Sequence, residues 1–323
     1  MICYSAVIPL FDKERHIERA IRSVAAQTVP PSEILVVDDG STDGGAAIVK
    51  RLAAEITSIR LIQQENGGVS RARNVGIRSA GSEYIAFLDA DDEWLSDFLE
   101  EIGHLMKEFP GAGLYATAYT AVGSDEDHIA PRLKSRPGRS THLSIHNYFK
   151  TGFGGSPVWT SAAVVPKSTF EDVGLFVDGA GRGEDLEMWG RISLRHDIAF
   201  SSKACAVYHL DADNRSHTEG IRARHPKTSR WWVLDLFEEW LGLPDISADK
   251  KRWIREWIRR SELLSAVQVA RSARSLRPLL RLPLTTLFSY SAFHHSSRFL
   301  LNRFVRFFRI AQRWRRQSRT RIG

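Results

Sequence analysis

An α/β fold with a mixed, mainly parallel sheet and flanking helices, followed by a basic helical C-terminal region, is predicted by three observations. Short apolar runs alternate with segments of helical periodicity through the first 115 residues, the pattern of strand–helix–strand units. Polar turn residues, many of them acidic, follow these runs directly. Beyond Pro226 strand-like runs cease, and Trp and Arg become frequent.

Taken in order, "YSAVIPLF" reads as a strand. "KERHIERAIRSVAAQ" puts Ile17, Ala20, Ile21, Val24 and Ala25 on one helical face. "EILVVDDGSTD" is a buried strand with turn residues behind it, and Ser41, Thr42 and Asp43 are N-cap candidates for the helix "GGAAIVKRLAAEI". "IRLIQQE" is a strand, "GGVSRARNVGIRSA" a helix entered through a glycine turn, "EYIAFLD" a strand and "EWLSDFLEEIGHLMKEF" a helix. The pattern then loosens. "GLYATAYTAVG", "WTSAAVVPK" and "IAFSSKACAVYHL" look like strands, 123–141 like a polar loop, and "RGEDLEMWGRISLRH" like a short helix opening with acids. The expected division is residues 1–225 as one sheet domain, with halves 1–115 and 116–225, and 226–323 as a helical region.

The chain of 323 residues is long enough for one large domain or two modest ones, and 43% hydrophobic content allows a sizeable core. Two cysteines, Cys3 and Cys205, exclude a disulfide framework and suit a reducing compartment. "MICYSAVIPLF" lacks the basic start of a signal peptide, and no apolar run has membrane-spanning length. The net charge of +7 hides an asymmetry: residues 249–323 carry 19 Lys/Arg against 3 Asp/Glu, a local +16, whereas residues 1–248 carry −9. Opposite signs in two parts suggest two roles.

The acids carry the chemistry. Asp12 follows the first strand, Asp38 and Asp39 follow "ILVV", and Asp89, Asp91 and Asp92 follow "IAFL". The carboxyl ends of parallel strands are where open α/β sheets bind ligands. Helix capping explains one aspartate per helix, and Asp92 is assigned that role. Five carboxylates in two clusters at one sheet edge exceed it, and their repulsion is relieved by a cation. Oxygen-only ligands select a hard divalent ion that keeps waters and phosphate oxygens, so a metal–diphosphate site is favoured over capping alone.

"SAVIPLFDKERHIERAIRSVAAQT", "ILVVDDGSTDG", "ENGGVSRARNVGI", "YIAFLDADDEW" and "RGEDLEMWGRI" stand in the order and spacing of family 2 glycosyltransferases. The resemblance covers about residues 4–215; each motif alone is modest, and five in order are specific. It implies a GT-A fold, with a nucleotide-binding half (1–115) joined to an acceptor-binding half (116–225). It also implies inverting transfer of a sugar from a nucleotide-sugar, a UDP-sugar above all, with Mg2+ or Mn2+. On this resemblance Pro9 and Phe11 line the base pocket, and Asp39, with Asp38 second, contacts the nucleobase. Asn66 and Arg73 lie beside the nucleotide, with Gly67 and Gly68 allowing close backbone approach. Arg71 is expected on a solvated helix face. Asp89 meets the ribose or the metal's waters, and Asp91 ligates the metal. Of the pair Glu184 and Asp185, the aspartate takes the acceptor proton, general-base assistance being worth typically ~10²–10⁴-fold, and the glutamate supports it. First-turn helix charge is the alternative role for both. His209, at a strand end beside "LDADNRSH", is carried as a third metal ligand, although this segment departs from the clearer motifs and local satisfaction is the commoner role of such a histidine. Trp159 and Trp189 have shapes suited to stacking on a sugar, and either also suits a core.

In "SSRFLLNRFVRFFRIAQRWRRQ", ~100° per residue places Leu300, Leu301, Phe304, Phe307, Phe308, Ala311 and Trp314 on one face. Arg303, Arg306, Arg309, Arg313 and Arg316 take the other. This describes a helix lying on an anionic membrane, suited to a lipid-linked acceptor at the cytoplasmic face, or a helix packed on the sheet domain. No motif supports nucleic-acid binding. Two further functions compete: a nucleotidyltransferase, disfavoured because "VIPLFDKERHIERA" holds no glycine, and a non-catalytic nucleotide- or membrane-binding scaffold, disfavoured by intact Asp89, Asp91 and Asp185.

Overall fold

The computed structural model describes residues 2–123, 128–130, 142–151, 156–180, 182–210 and 231–272. The chain divides into two compact units, Met1–Leu236 and Phe237–Gly323. In the first, β1 (Tyr4–Leu10), α1 (Ile17–Ala25), β2 (Glu33–Asp38), α2 (Gly45–Glu55), β3 (Ile59–Gln63), α3 (Val69–Ser79) and β4 (Tyr84–Phe87) form the expected alternation. There follow β5 (Glu93–Trp94), α4 (Phe98–Glu108), β6 (Leu114–Val122), β7 (His128–Ala130), β8 (His142–Ile145), α5 (Tyr148–Thr151), β9 (Ala163–Pro166), α6 (Lys167–Val173), α7 (Glu184–Arg195) and β10 (Ile198–His209). Helices α8 (Trp231–Trp240) and α9 (Ala248–Ser272) close the described chain. In the second unit Phe237, Ile254, Trp257 and Ile258 are buried. Among the described residues no helix is long and apolar enough to cross a membrane. The amphipathic segment 298–316 lies outside them.

The sheet runs β3-β2-β1-β4-β9-β6-β10-β5, with β7 on β6 and β8 on β10. Strands β1 to β4 pair in parallel, and so do β6 and β10; β9 runs antiparallel between β4 and β6. The mixed, mainly parallel sheet of the sequence reading is therefore present. Strand order reverses between β1, which leads outward to β2 and β3, and β4 on its other side. Such a switch point leaves a crevice at the strands' carboxyl ends. Leu10 pairs with Asp38 and Asp38 with Gln63, so the loops after these strands share one edge.

Helix α1 buries Ile17, Ala20, Ile21 and Val24, the stripe its periodicity requires. These meet Ala6, Ile8 and Leu10 of β1 and Phe98, Leu99 and Ile102 of α4 in one core. Three local readings change. The helix expected from Glu93 starts at Phe98, because Glu93 and Trp94 pair with Val207 and Ala206 and the Leu95 N–H reaches the Cys205 carbonyl. The segment 123–141, read as loop, contains β7. The N-cap of α2 is Gly44; Asp43 instead accepts from the Gly45 N–H at 2.9 Å.

Candidate active site

The loop after β1 turns sharply at Asp12, the non-glycine residue with positive φ (48°) among those described. Its carboxylate accepts from the Thr42 N–H at 2.7 Å, which holds the left-handed turn. Pro9 is half-buried in β1, while Phe11 keeps 39% of its surface exposed at the sheet edge. The end of β2 supplies two buried acids. Asp38 accepts from the Ser41 N–H and from Gln63, both at 3.0 Å. Asp39 accepts from the N–H groups of Gly67 (2.9 Å) and Gly68 (2.7 Å) and from Gln64 (2.6 Å). Both carboxylates thus shape the edge loops, and Asn66, in the loop after β3, is exposed. Gly68 has φ 87°, which an L side chain tolerates poorly, and it is the N-cap of α3.

Helix α3 buries Arg73, whose side chain is 3% exposed. Its guanidinium donates to Asp89 Oδ1 at 2.7 Å and to Glu184 Oε1 at 2.9 Å. Burial disfavours the charge, but these two carboxylates outweigh it and raise the pKa. Arg73, expected beside the nucleotide, thereby joins the end of β4 to the first turn of α7. Arg71 is exposed, as expected.

Beyond β4 the three aspartates have three different surroundings. Asp89 faces Arg73 and remains 26% exposed. Asp91 accepts from Lys13 Nζ at 2.8 Å, and its carbonyl accepts from Arg19 at 2.6 Å. Asp92 does not cap a helix, which corrects the sequence reading. It is 1% exposed and accepts from the Ser161 hydroxyl and the Trp159 indole (3.1 Å), while the N-cap of α4 is Asp97. Burial first, then the charges of Asp89 and Asp91, push its pKa well up, and its second oxygen has no hydrogen-bond partner.

Helix α7 begins after Gly183, which is left-handed (φ 81°), and its first turn carries Glu184 and Asp185. Asp185 accepts from the Leu186 N–H at 2.7 Å and keeps some solvent contact while lying deep among protein atoms. Burial and Glu184 raise its pKa to about 7, partly offset by Arg73. Trp159, Tyr119 and Tyr208 form a partly exposed aromatic cluster, with ring centroids 4.3 to 6.2 Å apart. Burial lifts the Tyr119 phenol to about 12, with further contributions from Tyr208, Asp92 and Asp185. Trp189 is fully buried against Phe87 and Phe176, a core residue.

The donor set fits a hard divalent ion. Asp91 already attracts a cationic group, and Asp89 stands two residues away with partial exposure. His209 instead lies 3.2 Å from Glu93 at the end of β10. Among the described residues no three of His, Cys, Asp and Glu are gathered as a ready cage. Asp91 with Asp89 would be the residues to hold such an ion, with the remaining ligands left to water or to phosphate oxygens of a bound nucleotide.

Lys13, Ser161, Tyr119 and Tyr208 were not singled out from sequence. Ser161 organises the acidic loop by accepting from the Asp89 N–H (3.1 Å) and donating to Asp92. Nothing in "WTSAA" signals this.

The profile of glycosyl transferase family 2 matches residues 5–174. The chain is 37% identical over 135 residues to EpsJ of Bacillus subtilis, an uncharacterized glycosyltransferase, covering 41% of this chain and 38% of EpsJ. It is 34% identical over 122 residues to TuaG of the same organism, named for teichuronic acid biosynthesis, covering 38% of this chain and 48% of TuaG. The matched stretch thus spans less than half of either relative. In fold the chain resembles residues 1–349 of S. aureus TarS, solved in complex with UDP-GlcNAc, with TM-score 0.62, 18% identity and coverage of 80% of this chain and 71% of that one.

Proposed function

Because the chain belongs to glycosyl transferase family 2, we propose that it is a glycosyltransferase that moves a sugar, with inversion, from a UDP-sugar to a hydroxyl of a surface or lipid-linked glycan. The observation that carries this reading is the Arg73 bridge. One buried guanidinium holds Asp89 on the strand edge and Glu184 next to Asp185, fixing a donor-side acid and a base relative to each other. The UDP-GlcNAc complex of TarS and the biosynthetic name of TuaG support the substrate class.

In this mechanism the nucleotide lies along the edge formed by Pro9, Phe11, Asn66 and Asp89. Asp185 takes the proton of the acceptor hydroxyl as that oxygen attacks the anomeric carbon. The bond from that carbon to the diphosphate oxygen breaks, and the nucleoside diphosphate leaves with the electron pair. A pKa of about 7 matches the base to neutral pH. Asp91 with Asp89 would hold Mg2+ or Mn2+, and the ion would supply Lewis-acid stabilisation of the leaving diphosphate. Trp159, Tyr119 and Tyr208 offer aromatic faces to the acceptor sugar, next to the base.

A panel of nucleotide-sugars tested by thermal shift, with and without Mn2+, examines this reading. At least one UDP-sugar should raise Tm in a Mn2+-dependent way, and Asp91→Ala should abolish the metal-dependent part while the protein stays folded. Stabilisation by none of the panel contradicts it.

A further inference from the structure

The cation position on Asp91 is taken by the protein's own lysine, and the loop is built to put it there. The left-handed turn at Asp12 precedes Lys13. On the other side of Lys13, the Glu14 N–H donates to Asp43 Oδ2 at 2.7 Å, and Glu14 Oε2 accepts from the Gly44 N–H at 3.0 Å. The Lys13 carbonyl accepts from the N–H groups of His16 and Ile17, each at 3.0 Å, at the approach to α1. The backbone around Lys13 is therefore fixed on both sides, and its side chain, 12% exposed, reaches Asp91, 17% exposed. Arg19 secures the Asp91 carbonyl from α1. Asp91 is thus held by two cationic side chains from one segment.

We propose that Lys13 is a resident counter-ion that a divalent metal must displace from Asp91, so that Lys13 sets the threshold for metal binding. The inference rests on the reading of Asp91 as a metal ligand. A Mg2+-type ion sits about 2.1 Å from a carboxylate oxygen. The ammonium stands 2.8 Å from that carboxylate, so the two cations would lie within a few ångströms of each other if both stayed. Their repulsion at that distance is unfavourable even near a protein surface. The lysine is the partner that moves, because its stem is flexible and its head group is readily hydrated. Exchange lowers the metal affinity of the donor-free enzyme and makes occupancy depend on the extra oxygens that a diphosphate brings.

The test uses Mn2+ alone with the full chain, following loss of the free-ion signal by electron paramagnetic resonance. Lys13→Met keeps the length of the side chain and removes its charge. It should bind Mn2+ about three- to tenfold more tightly, the release of one partly buried ion pair. Lys13→Arg should stay at the wild-type value, and the gain should vanish in Lys13→Met/Asp91→Ala. Lys13→Gln repeats the measurement should the methionine perturb folding. Equal or weaker Mn2+ binding by Lys13→Met, including none detected in either protein, overturns the exchange. Wild-type Mn2+ affinity in Asp91→Ala overturns the metal assignment itself, so the two failures are distinguishable.

Discussion

Replacing Asp185 with asparagine should cut sugar transfer by at least about 10²-fold while donor affinity stays nearly unchanged. The amide keeps the size of the side chain but cannot take the acceptor proton. The effect has a pH signature. As a general base Asp185 would act only when ionised, and burial together with Glu184 raises its pKa to about 7. The wild-type kcat/KM should therefore fall as pH drops through about 7, approaching tenfold per unit below it, and the variant should lack that limb. The stability sign is the opposite. The folded pKa lies above the unfolded value of about 3.9, so this group's stabilising contribution is complete below the unfolded pKa and is lost as pH rises through about 7. Asp185→Asn should then melt no lower than wild type at pH 8. Steady-state kinetics across pH, with melts on the same samples, separate a missing base from a damaged fold. Wild-type turnover by the variant would move the base elsewhere, with Glu184 next to examine.

The second large effect is on stability. Arg73→Met leaves Asp89 and Glu184 without their shared partner. Removing one member of a buried ion pair costs ~3–5 kcal/mol. Asp89 is 26% exposed and Glu184 13%, so solvent recovers part of that cost and about 2–4 kcal/mol is expected. A fall in Tm of several degrees follows for a chain of this size. Arg73→Lys should lie between, because one ammonium cannot reproduce a guanidinium fork that spans two carboxylates. An unchanged melting profile for Arg73→Met would show that the bridge does not hold the two halves of the site together.

What was legible in the sequence followed from periodicity and from acids at strand ends. β1, β2 and β4 announce themselves as apolar runs; Asp38 ends β2 and Asp89 and Asp91 follow β4, and parallel pairing brings these ends to one carboxyl edge. Glu184 and Asp185 were placed with the donor edge only through the family resemblance; no local pattern says that α7 approaches α3. Arg73 was placed beside the nucleotide, and its pairing with two carboxylates depends on a helix 111 residues away along the chain. The cap assigned to Asp92 failed because local chemistry cannot reveal that β9 inserts antiparallel beside β4 and brings Trp159 and Ser161 over the acidic loop. β5 was read as helix for a similar reason: two residues carry no periodicity, and pairing with β10 decides their state. Tyr119 and Tyr208 meet because β6 and β10 are parallel neighbours, a register that only the folded sheet defines.

Direct displacement at the anomeric carbon, with Asp185 as base, is tested by the configuration of the sugar first released. An α-linked UDP-sugar selected by thermal shift, incubated with Mn2+ and followed by proton NMR before mutarotation, should yield the β-anomer first, and Asp185→Asn should yield little of either. First release of the α-anomer, or equal release by wild type and variant, would rule out displacement with Asp185 as base.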